Sequence, residues 1–186
     1  METSHPQALF RLDNETLAFR YTATVSHRTG DPLERLDDPV KLRQWLAAND
    51  LDPGVIPTSD QLDQARQLRE AIYRLGATLA DGQPPAQLDL DRVNSAAAAG
   101  TPSPVLDADG MRWSLGSEDP VGAALAVLAR NAIEVLGSPT RQRIKTCEGP
   151  DCAGLFVDTS RAGARRWCSM NTCGNKNKKD RLRAKS

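Results

Sequence analysis

The stretch CEGPDCAGLFVDTSRAGARRWCSMNTC, residues 147–173, holds every cysteine of the chain in two matched pairs, Cys147-x4-Cys152 and Cys168-x4-Cys173, with fifteen residues between them. Tetrahedral zinc takes four thiolates at about 2.3 Å, and two short loops that each carry a pair supply that geometry. Gly149-Pro150 gives the first loop a turn that lets both thiolates face inward. The second loop runs into a basic tract with few helix breakers, so Cys173 is expected near a helix N-terminus, where the dipole favours a thiolate. The alternatives are two disulfides or four unrelated thiols. Disulfides are rare in the cytosol, and unrelated thiols would not all fall in one short segment in matched pairs. One structural Zn2+ on Cys147, Cys152, Cys168 and Cys173 is therefore the expected cofactor. Four protein ligands leave no position open to water, which disfavours a catalytic metal. The site nets about −2, and Lys145, Arg165 and Arg166 lie near enough in sequence to offset it. Apart from Leu155, Phe156, Val157 and Trp167 the segment has little apolar material, so the metal is expected to hold it folded.

Working outward, charge divides the chain. From Arg141 onward there are twelve Lys and Arg against four Asp and Glu, a net of +8; since the chain has 24 of each sign, residues 1–140 carry −8. An acidic body with a basic arm points to contact with nucleic acid or another anionic surface. The 186 residues suffice for one ordinary core and a small appended module, and 4% aromatic content makes that core mainly Leu, Ala, Val and Ile. No N-terminal leader pattern or bilayer-length apolar stretch is read, so the expected location is cytoplasmic with no membrane partner.

The body reads as mostly helical. Asp38 caps and Pro39 opens a helix to about Asn49, with Leu42, Trp45 and Leu46 on one face. Thr58 and Gln61 are spaced as a capping box before a longer helix carrying Leu62, Ala65, Leu68, Ile72, Leu75 and Leu79, ended by Asp81-Gly82. A short Ala-rich helix follows over Leu88 to Ala99. Val105 to Leu115 alternates about Asp109-Gly110 and predicts a two-stranded hairpin. Ser117-Glu-Asp-Pro then opens a helix with Val121, Leu125, Leu128, Ala132 and Leu136 on its apolar face, closed by Gly137. Upstream, Leu17, Phe19, Tyr21 and Ala23 alternate like a strand before a turn at His27-Arg-Thr-Gly. The expected architecture is mainly α with a small β element. An α-rich domain over residues 1–140 precedes a four-cysteine module, residues 141–186, that ends in a basic helix.

The run Cys147-x4-Cys152-Ala-Gly-Leu-Phe156-Val-Asp158-Thr-Ser160, with Arg165-Arg166-Trp167-Cys168-Ser169-Met170 and Cys173-Gly174-Asn175, resembles the CGNR zinc finger over residues 147–183. Lys176 stands where that family has its Arg; it keeps the charge and loses the bidentate fork. Leu17-Ala-Phe19, Thr29-Gly30, Asp38-Pro39, Trp45-Leu46 and the acid-Pro start near Pro120 resemble, more loosely, the ABATE domain that usually precedes this finger. Members carry an Asp and an Asn-Thr pair where this chain reads Arg20-Tyr-Thr-Ala-Thr24, so a ligand pocket built on that pair would be altered. The resemblance implies a mostly helical N-terminal domain and a role in DNA binding and transcription regulation.

From the residues themselves, Lys176, Lys178, Lys179, Arg181 and Arg183 spread around a short helix, a surface whose charge suits phosphates. Arg165, Arg166 and Asn175 are candidates for more oriented contacts, with Asn175 alternatively bonding its own loop; Trp167 reads as core. Duplex DNA is the favoured partner. RNA, or a protein contacted by an adaptor, are the alternatives, and docking of the basic module on the acidic body would make it autoinhibitory. The body is expected to sense a small-molecule effector or to mediate self-association as a homodimer, though no heptad seam shows one. His5 and His27 read as isolated surface residues, and without a phosphate loop, nucleophile elbow or His-metal motif an enzyme is disfavoured.

Overall fold

The computed structural model describes residues 9–116 and 118–183, with side chains through residue 179. His5 and Ser117 lie outside the described residues, as do the side chains of Arg181 and Arg183. Where a strand was expected, residues Leu17–Thr22 form a helix, α1, with Ala18, Phe19, Tyr21 and Thr22 buried. It is packed against helices of the body on two sides, so apolar residues occupy adjacent positions rather than one stripe, and alternation no longer discriminates. Its N-terminus is tied down by the Ala18 N–H donating to Asn131 Oδ1 at 2.9 Å. The turn at His27 follows: His27 takes a positive φ of 55°, and the Gly30 N–H donates to its carbonyl at 3.0 Å. That turn lies between β1 (Val25–Ser26) and β2 (Leu33–Glu34), an antiparallel pair.

Helix α2 (Pro39–Ala47) is capped by Asp38, which accepts from the Lys41 N–H at 2.8 Å. Helix α3 (Ser59–Ala80) starts on the expected capping box, Gln61 N–H to Thr58 Oγ1 at 3.2 Å and Thr58 N–H to Gln61 Oε1 at 2.9 Å. Helix α4 (Gln87–Ala98) leads to the hairpin β3 (Ser103–Asp107) and β4 (Gly110–Ser114), whose antiparallel register turns at Ala108-Asp109, one residue before the expected Asp109-Gly110, because Gly110 already pairs with Asp107 in the ladder. Helix α5 (Pro120–Gly137) is capped by Asp119, which accepts from the Gly122 N–H at 2.9 Å. Contrary to the sequence expectation, α5 is long and apolar enough by length and composition to cross a membrane; here it lies against α1, α3 and α4 as the core helix.

One charged network is sunk into this body. Arg69 on α3, with a side chain only 4% exposed, donates to both oxygens of Glu34 at 2.7 Å and to Glu70 at 2.8 Å. Arg28 grips Glu70 from the other side and lies 3.7 Å over the Tyr73 ring. Two guanidinia facing two carboxylates satisfy the burial requirement for ions and fasten the β1–β2 turn to α3.

Past α5, a 3-10 turn over Pro139–Arg143 enters β5 (Ile144–Thr146), which pairs antiparallel with β6 (Leu155–Val157). The expected division at residue 140 falls in that turn, yet Ile144 and Leu155 beyond it are buried in the body's core. A Cβ added to Gly76, about one turn before the end of α3, would lie 2.5 Å from Leu155 Cδ1. Glycine in a helix interior costs about 1 kcal/mol relative to Ala. The notch that seats Leu155 accounts for it.

Candidate metal centre

The β5–β6 hairpin delivers the first cysteine pair. Cys147 leaves β5 with its N–H on the Gly154 carbonyl at 2.9 Å, and the Cys152 N–H closes a turn on the Gly149 carbonyl at 3.0 Å. Asp151 and Ala153, on either side of Cys152, take positive φ values of 61° and 47°, which curls the loop back on itself. Gly149 permits the closest approach, since a Cβ there would sit 3.1 Å from Cys173 Cβ and 3.3 Å from its Sγ.

The second pair arrives on a loop organised by Asp158. Its carboxylate, 1% exposed, accepts from Lys145 Nζ at 2.8 Å, from Ser160 N and Oγ at 3.0 and 2.6 Å, and from Arg165 N at 3.0 Å. Those donors, Lys145 first, hold its carboxyl well below the ordinary range. Met170–Gly174 then form a single π turn, closed by the Gly174 N–H on the Ser169 carbonyl at 3.1 Å, which carries Cys173. Helix α6 (Asn175–Arg183) continues directly from it, so Cys173 stands at a helix start as expected.

All four cysteines are reduced and buried, and their sulfurs lie within 4.8 Å of one another. Cys152 to Cys168 is 3.7 Å, Cys168 to Cys173 is 3.6 Å and Cys152 to Cys173 is 3.4 Å. Four sulfurs placed tetrahedrally about 2.3 Å from one zinc would be about 3.8 Å apart. The donor set also suits thiolates: Gly149 N–H at 3.4 Å and Cys168 N–H at 3.3 Å both point at Cys147 Sγ. The four cysteines can therefore hold one zinc ion. Phe156 and Trp167 complete the sulfur cluster, with Trp167 on the core side as read from the sequence.

The cations expected to offset the site's charge are engaged elsewhere. Lys145 serves Asp158. Arg165 donates to the Trp167 carbonyl at 2.8 Å and to that of Cys168 at 2.5 Å, with its guanidinium 4.9 Å over Phe156. Arg166 pairs with Glu148 at 2.6 Å and lies 4.9 Å over Trp167. In their place stands Arg11, from the other end of the chain, which donates to Cys168 Sγ at 3.2 Å and to Thr172 Oγ1 at 2.8 Å. Sequence proximity could not have found it, because 157 residues separate Arg11 from Cys168.

Beyond the sulfurs, Lys176, Lys178 and Lys179 are exposed and make no ion pair among the described residues. No salt bridge therefore docks these lysines on the described residues of the acidic body. Asn175 donates to the Asn171 carbonyl at 3.3 Å, so it bonds its own loop.

The ABATE family, described as a putative stress-induced transcription regulator, matches residues 15–139, and the CGNR zinc finger matches residues 143–186. No curated protein matches the chain. Neither matching family is an enzyme family.

Proposed function

Since the chain belongs to the ABATE family and ends in a CGNR zinc finger, we propose that it is a non-enzymatic regulator of transcription that binds duplex DNA through its finger and α6. The observation that carries this reading is the junction of metal and helix. The π turn that holds Cys173 runs straight into α6, whose first five residues include the exposed Lys176, Lys178 and Lys179. The metal thus orients a cationic helix instead of leaving it as a loose tail. Phosphates reward such a surface because each one neutralised releases counterions. Arg166 joins the contact set by exchanging exposed Glu148 for a phosphate. Arg165 and Asn175 leave it, since their hydrogen bonds brace the finger. Arg181 and Arg183 extend the basic sequence of α6.

Binding of zinc-loaded protein to labelled duplex DNA across a salt series tests this. The slope of log affinity against log salt should be steep, and changing Lys178, Lys179, Arg181 and Arg183 together to Ala should flatten it by about 3 to 4 units. Absence of binding at low salt would favour the protein-interaction adaptor, and preference for a single strand or duplex RNA would favour an RNA role.

An effector-sensing body is supported by a groove of about 220 Å3 among α3, α4 and α5, lined by Leu75, Leu79, Val93 and Leu136 with Arg141 at its side. Apolar walls with one cation suit a small apolar acid, and Arg141 lies in the turn leading to the finger. Decanoate should raise the melting temperature of the wild type and not of Leu79→Trp; equal shifts would remove the groove from the scheme.

A further inference from the structure

We infer that Arg11 is a positioning residue of the zinc centre: the guanidinium supplies charge and hydrogen bonds to the thiolates, so the finger's grip on its metal depends on the opposite end of the chain. The donors around the four sulfurs are complementary. Cys147 Sγ receives the two backbone N–H groups of Gly149 and Cys168. The other three face Arg11, with Cys168 Sγ at 3.2 Å, Cys152 Sγ at 3.8 Å and Cys173 Sγ at 4.0 Å. One planar fork therefore reaches all three of these sulfurs, joined at Cys173 Sγ by the Thr172 hydroxyl at 3.9 Å, a task for which a guanidinium is suited and an ammonium is not.

The placement of Arg11 is fixed from both sides. Phe10 is buried in the body's core, and Asn14 donates at 2.9 Å to the carbonyl of Leu155, the first residue of β6, which follows the first cysteine pair. Arg35 holds the Leu9 carbonyl at 2.8 Å and keeps the segment against the body. Thr172 Oγ1, between the second pair of cysteines, accepts from Arg11 at 2.8 Å and aims the fork. Arg11 Nε is buried without a hydrogen-bond partner among the described residues, a cost the geometry accepts in order to bring the two terminal nitrogens to the sulfurs. Four thiolates and one Zn2+ sum to about −2, and Arg11 brings a full positive charge within hydrogen-bond reach.

Outer-sphere partners of metal ligands typically carry a tenfold to hundredfold effect on affinity. The test uses the full chain loaded with zinc or with Co2+. Zinc affinity is read by competition with a chromophoric chelator, and the cobalt spectrum reports thiolate-to-metal charge transfer separately from tetrahedral geometry. Arg11→Gln should weaken zinc by about 10- to 100-fold and move the charge-transfer band to longer wavelength while the ligand-field bands stay tetrahedral. Arg11→Lys should fall between the two, and Thr172→Val should shift the band in the same direction by less. Exposed Arg112→Gln, on the β3–β4 hairpin, should change neither readout. Weaker zinc with an unmoved charge-transfer band would mean that Arg11 only fastens the finger to the body, and would overturn the inference. Unchanged zinc affinity in Arg11→Gln would overturn it as well. If Arg11→Gln fails to fold, Arg11→Lys and Thr172→Val decide alone: wild-type spectra in both would reject the inference.

Discussion

The helical body buries Phe19, Tyr21, Leu42, Trp45, Leu46, Ile72 and Leu128 almost completely, whereas the finger's own cluster is Phe156, four cysteines and a partly covered Trp167. The body obtains its order from apolar area removed from water. The finger has too little of it and uses a metal, a buried carboxylate and loans from the body. Leu155 illustrates the loan: it belongs to the finger by sequence and to the body by burial. Two sequence regions with opposite net charge thus share one continuous packing, through Leu155, Ile144, the Tyr73 hydroxyl on the Ala153 carbonyl at 3.0 Å, and Arg11.

Removing the metal should break the comparison most severely. Zinc contributes on the order of 10 kcal/mol to isolated zinc-finger peptides. Chelation should therefore unfold the finger, seen as a change in Trp167 fluorescence against a Trp-reduced background, and should also lower the urea midpoint of the body, because Leu155 leaves its seat. An unchanged body midpoint would show the regions to be independent.

Leu155→Ala asks the same question without touching the sulfurs and should cost about 2 to 5 kcal/mol in urea unfolding. Gly76→Ala sharpens it, since the added Cβ clashes with Leu155 in the wild type but fills space in Leu155→Ala. The substitution should destabilise the first by about 1 to 3 kcal/mol and stabilise the second. Equal effects in both backgrounds would deny the contact.

Arg69→Met tests the body alone. Removing one member of a buried ion network costs about 3 to 5 kcal/mol, and the lower end applies because Glu34 and Glu70 are about a third exposed. Zinc affinity should stay at the wild-type value; a parallel loss would extend the coupling from the β1–β2 turn to the finger.

The smallest effect is expected at Asp89, whose carboxyl is held below its ordinary value mainly by its hydrogen bonds with Arg74, at 2.9 and 2.5 Å. A lowered folded-state pKa stabilises above the unfolded value, about 3.9, and that stabilisation fades as pH falls toward the folded one. The stability difference between wild type and Asp89→Asn should be full at pH 7 and shrink below about pH 4. A difference that grew in acid would reverse the assignment.

Much of the fold was legible because its signals are local. Asp38-Pro39 and the Thr58–Gln61 box each act within four residues and formed what their chemistry predicts, and the hairpin near Asp109-Gly110 formed with its turn one residue earlier, at Ala108-Asp109. Helix α1 was misread because it is short and packed from two sides, leaving no single stripe. The sulfur site was legible from spacing, and the hub at Asp158 was present in the motif without its role. The charges were not legible: sequence gives the number of cations but not the direction in which each points. Arg165 and Lys145 therefore looked like neighbours of the metal when they brace loops, and Arg11 gave no sign at all.

The notch at Gly76 has a consequence in time. Ribosomes add about 5 to 20 residues per second, so the 18 residues from Gly137, where α5 ends, to Leu155 take about 1 to 4 s to follow. For that interval the newborn helical body carries an open apolar seat and an arginine without its sulfurs, both filled only when the finger follows and captures its ion.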